Sequence, residues 1–455
     1  MRATIVTDLG FGDAGKGTIV DFLARQSIAP VVVRFNGGAQ AAHNVITPEG
    51  AHHTFAQFGS GSLVRGTRTH LSRFVAVDPF ALITEAEHLI GLGVHDIFAR
   101  LSVDRDARVV TPLHKAGNRI REVLRGGGRH GSCGMGVGEM MADAVAFPHR
   151  TVTAADLRSP ETLVEKLRFF QKLKADEFRE QREAIAQTPY LEHERRLVFE
   201  PGMPERIARA LWEVSMRFAI VEGRYLAHLA RDHELIFEGA QGILLDEWHG
   251  FHPYTTWSTT TTHNARTLLA EIGYTGAVRS IGVTRAYATR HGPGPFPAED
   301  ASLVQLLPEP FNGDGRWQGA FRTGWLDTVL LRYACTVSGG IDELAVTHLD
   351  RVRELRLKVA TSYALGTDST RHERVLIKPG NDVLSLRAKS MLTDLAFQES
   401  LTRLLGEVAI RYTPVVDSVS ALLARELGVP VTIESRGPTA LDKSWVSVLP
   451  CASAA

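Results

Sequence analysis

Disulfides, net charge and membrane spans are all missing from this chain, and each absence removes a class of protein. Three cysteines, Cys133, Cys335 and Cys451, are spread over 455 residues with no CxxC pair. An odd, scattered set builds no disulfide framework, which fits a reducing compartment. Lys and Arg number 51 and Asp and Glu number 51, so there is no overall electrostatic footprint for nucleic acid or for a membrane surface. No apolar run is long enough to cross a bilayer, and no basic segment followed by an apolar stretch precedes the first strand. The expectation is a soluble cytoplasmic protein. Internal repeats, low-complexity tracts and Pro/Ser linkers are absent as well, which favours one large α/β unit over residues 1–455.

What the chain does have is concentrated near its start. Thr4–Leu9 is an apolar strand-like run, Gly10-Phe11-Gly12-Asp13-Ala14-Gly15-Lys16-Gly17-Thr18 is a glycine-rich turn, and Ile19, Phe22 and Leu23 then fall at helical spacing. Strand, glycine loop and helix in that order suit a polyphosphate. Backbone N–H groups converge, the helix N-terminus adds partial positive charge and Lys16 adds a full one. The spacing departs from the common P-loop signature, and Asp13 puts a carboxylate where anions bind. Such a carboxylate serves either as a Mg²⁺ ligand or as a proton acceptor.

The rest of the chain keeps alternating. Ala29–Phe35 reads as a buried strand ending in Asn36–Asn44, which makes a parallel βαβ unit whose two loops open on one crevice. Strands are predicted at 74–77, 101–103, 235–238, 277–287, 343–346, 355–360, 412–416 and from 431, with helices at 80–92 and 384–405. Residues 157–229 read as a mostly helical excursion covering the sheet, and its charges as solvated faces. The glycines of 126–138 mark a loop of close approach, although their composition also fits a flexible surface loop. Three prolines stiffen His291–Pro297. The predicted class is α/β: a large, mostly parallel sheet covered by helices, with P-loop-like nucleotide-binding architecture.

Taken together, seven ordered motifs resemble the adenylosuccinate synthetase family. They are Gly-Asp-x-Gly-Lys-Gly at Gly12–Gly17, Arg-x-x-Gly-Gly at Arg34–Gly38 with His43, Phe-Glu-Gly-Ala-Gln-Gly at Phe237–Gly242, Gly-Pro-Phe-Pro at Gly294–Pro297, Arg-Thr-Gly-Trp-Leu-Asp at Arg322–Asp327, Thr-x-Leu-Asp at Thr347–Asp350, and Ser-x-Gly-Pro at Ser435–Pro438. The resemblance implies a GTP-driven ligase that joins IMP and L-aspartate into adenylosuccinate. It implies Asp13 as the base toward purine N1 and as a Mg²⁺ ligand together with the Ala42 carbonyl. His43 becomes the acid toward the 6-phosphoryl bridge, with Lys16 and Gln241 completing the catalytic set. Gly12, Gly15, Lys16, Gly17, Thr18 and Arg322 are implied at the GTP phosphates. His348, Leu349, Asp350, Ser435 and Gly437 are implied around guanine, in a C-terminal part of about 340–455. Gln40, Ser132, Cys133, Gln241, Thr256, Arg290 and Arg316 are implied on the substrate side. A homodimer is also implied, because the family completes its substrate phosphate site across the subunit interface.

The departures from the family pattern cluster. A family glutamate is Ala14, an asparagine is Gln40, a phosphate-binding threonine is Cys133, and the arginine of the partner subunit falls near Phe147, with Arg150 as a substitute. The arginine-rich aspartate loop is Arg316–Arg322, and the family lysine before the guanine aspartate is His348. Cysteine is a poor phosphate donor, and lost guanidinium groups weaken the hold on a dicarboxylate. Two readings stay open: a divergent member with the same substrates, or a paralogue that keeps GTP activation and takes another oxo-substrate or amine. An inactive nucleotide-binding regulator is disfavoured by the joint presence of Asp13, Lys16 and His43.

Overall fold

The computed structural model describes residues 2–126, 132–309, 312, 319–366, 372–377 and 382–450. Ten strands form the central sheet: β1 Arg2–Asp8, β2 Pro30–Arg34, β3 Arg68–Leu71, β4 Leu101–Asp104, β5 Ala219–Val221, β6 Glu234–Glu238, β7 Ala277–Arg285, β8 Glu343–Thr347, β9 Val431–Ser435 and β10 Lys443–Val448. Their order is β10-β9-β8-β7-β1-β6-β2-β3-β4-β5. Every pairing is parallel except that of β9 with β10.

The central strands read as unbroken apolar runs because both faces are covered. Along β1 successive side chains alternate: Val6 packs with Ile19 and Leu23 of helix α1 (Lys16–Gln26), while Ile5 packs on the opposite face with Leu226 and Leu268. Because the strands run parallel, the loops after β1, β2, β6, β7, β8 and β9 all emerge at one edge. The chain reverses its direction of spread around β1, which opens a crevice there.

Two predicted elements differ. The excursion contains helices at Pro160–Glu177, Arg182–Ala186, Glu192–Phe199, Met203–Ser215 and Tyr225–Asp232, but also the edge strand β5. Three half-exposed residues are too short to show a period. The helix predicted over 384–405 runs only over Leu395–Glu407. Asp382–Val383 pairs instead as a strand, and the Asp394 side chain accepts from Phe397 N at 3.1 Å, which caps the helix there. No helix among the described residues is long and apolar enough to cross a membrane.

Candidate active site

Strand β1 ends in Asp8, whose buried carboxylate organises the glycine loop. It accepts from Gly10 N at 2.8 Å, Ala14 N at 2.8 Å and Lys16 Nζ at 2.9 Å. One side chain thus closes the turn and pairs the lysine. Asp13 sits at φ 59°, between Gly12 at φ 100° and Gly15 at φ 90°. That left-handed path turns the Asp13 side chain into the cleft, while its carbonyl accepts from Arg285 Nε at 2.6 Å. Gly17 has no alternative: a Cβ there would lie 2.7 Å from the Cβ of His43.

His43 opens a short strand after β2 and is buried. Its Nδ1 lies 2.6 Å from Glu238 Oε1 at the end of β6. The other carboxylate oxygen accepts from Ser60 N at 2.9 Å, and Ser60 Oγ donates to Oε1. Burial works to raise Glu238, but Arg34 close by, with His43 and Ser60, holds it down at about 2. An ionised Glu238 fixes the tautomer: Nδ1 carries the proton and Nε2 is left for a substrate. Burial lowers the His43 pKa, and Glu238 works against that shift.

The far wall is tied to the glycine loop. Thr347 Oγ1 donates to Ala14 O at 2.7 Å, Thr18 Oγ1 to Pro438 O at 3.0 Å, and Leu349 N to Ser435 O at 3.1 Å. Lys443 Nζ donates to Thr439 O at 2.7 Å, and burial pushes it down to about 8. His348 stands at φ 59°, and burial holds its pKa well below the ordinary range. The result is a cavity of about 380 Å³ lined by Asp13, Gly15, Lys16, Gly17, Thr18, Ala42 and His43 on one side and by His348, Asp350, Ser435 and Gly437 on the other. Arg285 also lines it, donating to Tyr287 Oη at 2.9 Å and to Glu309; burial works to lower its pKa, but the carboxylates of Glu309 and Asp13 help hold it up.

Of the remaining residues implied by the motifs, Gln241 adopts φ 64° and its carbonyl carbon is 3.9 Å from where a Gly12 Cβ would be, so it abuts the loop. Gln40 has a buried Oε1 with no hydrogen-bond partner. Thr256 N donates to Leu245 O at 2.8 Å. Ser132 Oγ donates to Asn118 at 3.2 Å, and burial pushes the Cys133 thiol up.

Two of the implied arginines are engaged by the protein's own groups. Arg322 donates to Glu299 and, through one nitrogen, to the carbonyls of Gly292 at 3.1 Å and Gly294 at 2.9 Å; it does not line the cavity. Arg290 is buried over Phe11 and donates to the carbonyls of Pro293 and Pro295. A prolyl nitrogen has no hydrogen to give, so the carbonyls of this proline-rich loop take guanidinium donors instead. Arg316 lies outside the described residues. Asp8, Glu238, Arg285 and Glu309 were not singled out from sequence. Asp8 and Glu238 stand inside or beside the quoted motifs, but their partners are distant in the chain or across a turn.

Glycine loop, buried lysine, carboxylate-held histidine and a cleft ending at an exposed aspartate define an α/β nucleotide enzyme of the phosphoryl-transferring class. The family model described as adenylosuccinate synthetase matches residues 5–439. Adenylosuccinate synthetase of Myxococcus xanthus is 33% identical over 451 residues, covering 96% of this chain and 97% of the relative. Among solved structures, fully ligated adenylosuccinate synthetase from Plasmodium falciparum superposes with a TM-score of 0.77 at 19% identity, covering 97% of this chain and 99% of the other. The cyanophage S-2L succinoaminodeoxyadenylate synthetase bound to dGMP and dATP gives a TM-score of 0.57 at 15% identity, with coverage of 98% and 95%. This chain belongs to the adenylosuccinate synthetase family, GTP-dependent ligases that form a C–N bond.

Proposed function

We propose that the protein converts IMP, L-aspartate and GTP into adenylosuccinate, GDP and phosphate. The observation that carries this reading is that Asp13, Lys16, His43 and Asp350 line one cavity. A lactam oxygen is a poor leaving group. Asp13 takes the N1 proton, the electron pair moves onto O6, and O6 attacks the γ-phosphorus of GTP as GDP departs. The aspartate amine then adds at C6, loses a proton, and the C6–O6 bond breaks to release phosphate. His43 acts as the acid toward the bridging oxygen once its Nε2 is protonated, and the Glu238 carboxylate at Nδ1 stabilises that imidazolium. Lys16 and the loop amides hold phosphate oxygens. Asp350 accepts from two guanine N–H groups, a pattern that adenine lacks.

Asp13 and Ala42 both line the cavity, and a carboxylate and a main-chain carbonyl are the hard oxygen donors that suit Mg²⁺ taking its other ligands from phosphate and water. When bound, Mg²⁺ would offset phosphate charge. We assign the protein to the cytoplasm as a homodimer, with residues 1–455 acting as one unit; sedimentation at graded concentration tests the dimer. Incubation with GTP, Mg²⁺, IMP and aspartate is expected to yield adenylosuccinate by chromatography. A second reading is favoured by the engaged Arg290 and Arg322 and by the half-buried Cys133: a different oxo-substrate or amine. GTP consumption driven by another oxo-compound, with no adenylosuccinate from IMP, would select it.

A further inference from the structure

Beside Asp13 stands an imidazole that the proposed mechanism does not use. His291 Nε2 lies 3.6 Å from Asp13 Oδ2, the carboxylate's only ion-pair neighbour among the described residues. The imidazole Nδ1 is buried with no hydrogen-bond partner. The ring is held edge-on to Phe321, centroids 4.7 Å apart, its register partner across the Ala288–His291 and Phe321–Gly324 pair. Gly292 N donates to Ala320 O at 3.1 Å, and Arg290 is locked by the proline-loop carbonyls, so both flanks of His291 are anchored.

Asp13 is anchored only through its backbone. The carbonyl is fixed by Arg285, but no protein hydrogen bond holds the carboxylate among the described residues. The next residue, Ala14, is buried and offers no second acid. A base gains rate from a fixed approach to its proton, and a carboxylate free to change rotamer loses it. The His291 separation exceeds a hydrogen bond by about half an ångström, the distance the Asp13 carboxylate would move to accept from Nε2.

We propose that His291 is a positioning residue for Asp13, its Nε2–H holding the carboxylate toward the purine as Glu238 holds His43. The proposal rests on the reading of Asp13 as the base. Glutamine in place of the ring puts an amide nitrogen near Nε2, whereas asparagine puts one near Nδ1, so the two amides separate orientation from bulk. His291→Leu and His291→Asn are each expected to lower kcat about 30-fold, and His291→Gln no more than about threefold, with KM for GTP and the thermal midpoint unchanged. Equal loss in the Gln and Asn variants, or a Leu variant within about twofold of wild type, overturns the proposal. A crystal structure of His291→Leu gives a readout independent of substrate: the Asp13 carboxylate is expected to leave its position, and its retention overturns the proposal. Failure of the wild-type protein to make adenylosuccinate counts against the functional reading alone.

Discussion

Around the cavity, charged groups are paired with one another inside the protein: Lys16 with Asp8, His43 with Glu238, Arg285 with Glu309. Beside the Gly292–Pro295 turn, Arg290 donates to main-chain carbonyls, while Arg322 divides its donors between those carbonyls and the Glu299 carboxylate. The first arrangement presets reactive groups, since a buried ion stripped of its partner is strongly destabilised. The second shapes a loop. Charged residues in and beside the motifs thus have two structural uses: arginines brace a turn, and Glu238 fixes the orientation of His43.

The sharpest way to break this contrast is at Asp13. Asp13→Asn is expected to cut turnover by about 10³-fold or more while leaving GTP affinity measured without Mg²⁺ within about threefold, read by single-turnover kinetics and calorimetry. Equal loss of both would make Asp13 a binding group. Glu238→Gln comes next, with kcat expected to fall about 100-fold because the histidine tautomer is released. Its acid unfolding offers a second check. The folded Glu238 pKa of about 2 lies below the ordinary 4.5, so its stabilisation is complete above the ordinary value and is lost as pH falls through that window toward 2. The Gln variant should show a flatter acid limb, measured by circular dichroism.

Asp350→Asn is expected to lower kcat/KM for GTP about 100-fold and to admit xanthosine triphosphate, whose edge offers the acceptor that an amide donor needs. No change in donor preference would remove Asp350 from base recognition. The smallest catalytic effect is expected at Arg322. Its replacement by alanine should lower the thermal midpoint by a few degrees and leave KM for GTP within about twofold. A large rise in KM at unchanged midpoint would return Arg322 to the phosphates and erase the contrast.

The central strands were legible because burial on both faces leaves an apolar signature, as in Ala29–Phe35, whereas Ala219–Val221 at the sheet edge leaves none. Leu384–Leu405 read as one helix because its apolar spacing continues past the point where Asp394 caps the real start. Within the site, the loops were visible as motifs because glycine and charge are local signals. The pairing of His43 with Glu238 joins residues 195 apart, and the main-chain role of Arg290 depends on where carbonyls point. Neither is written in residue type. His291 was visible only as the start of a stiff loop; its approach to Asp13 arises from the strand pairing that sets it there.

In the proposed mechanism, phosphoryl transfer to the 6-oxo group precedes C–N bond formation at this cleft. IMP labelled with heavy oxygen at O6 tests it directly, by mass analysis of the phosphate released in the presence of GTP, Mg²⁺ and aspartate. One labelled oxygen in each phosphate is the result expected. Adenylosuccinate formed with unlabelled phosphate would contradict that order of steps.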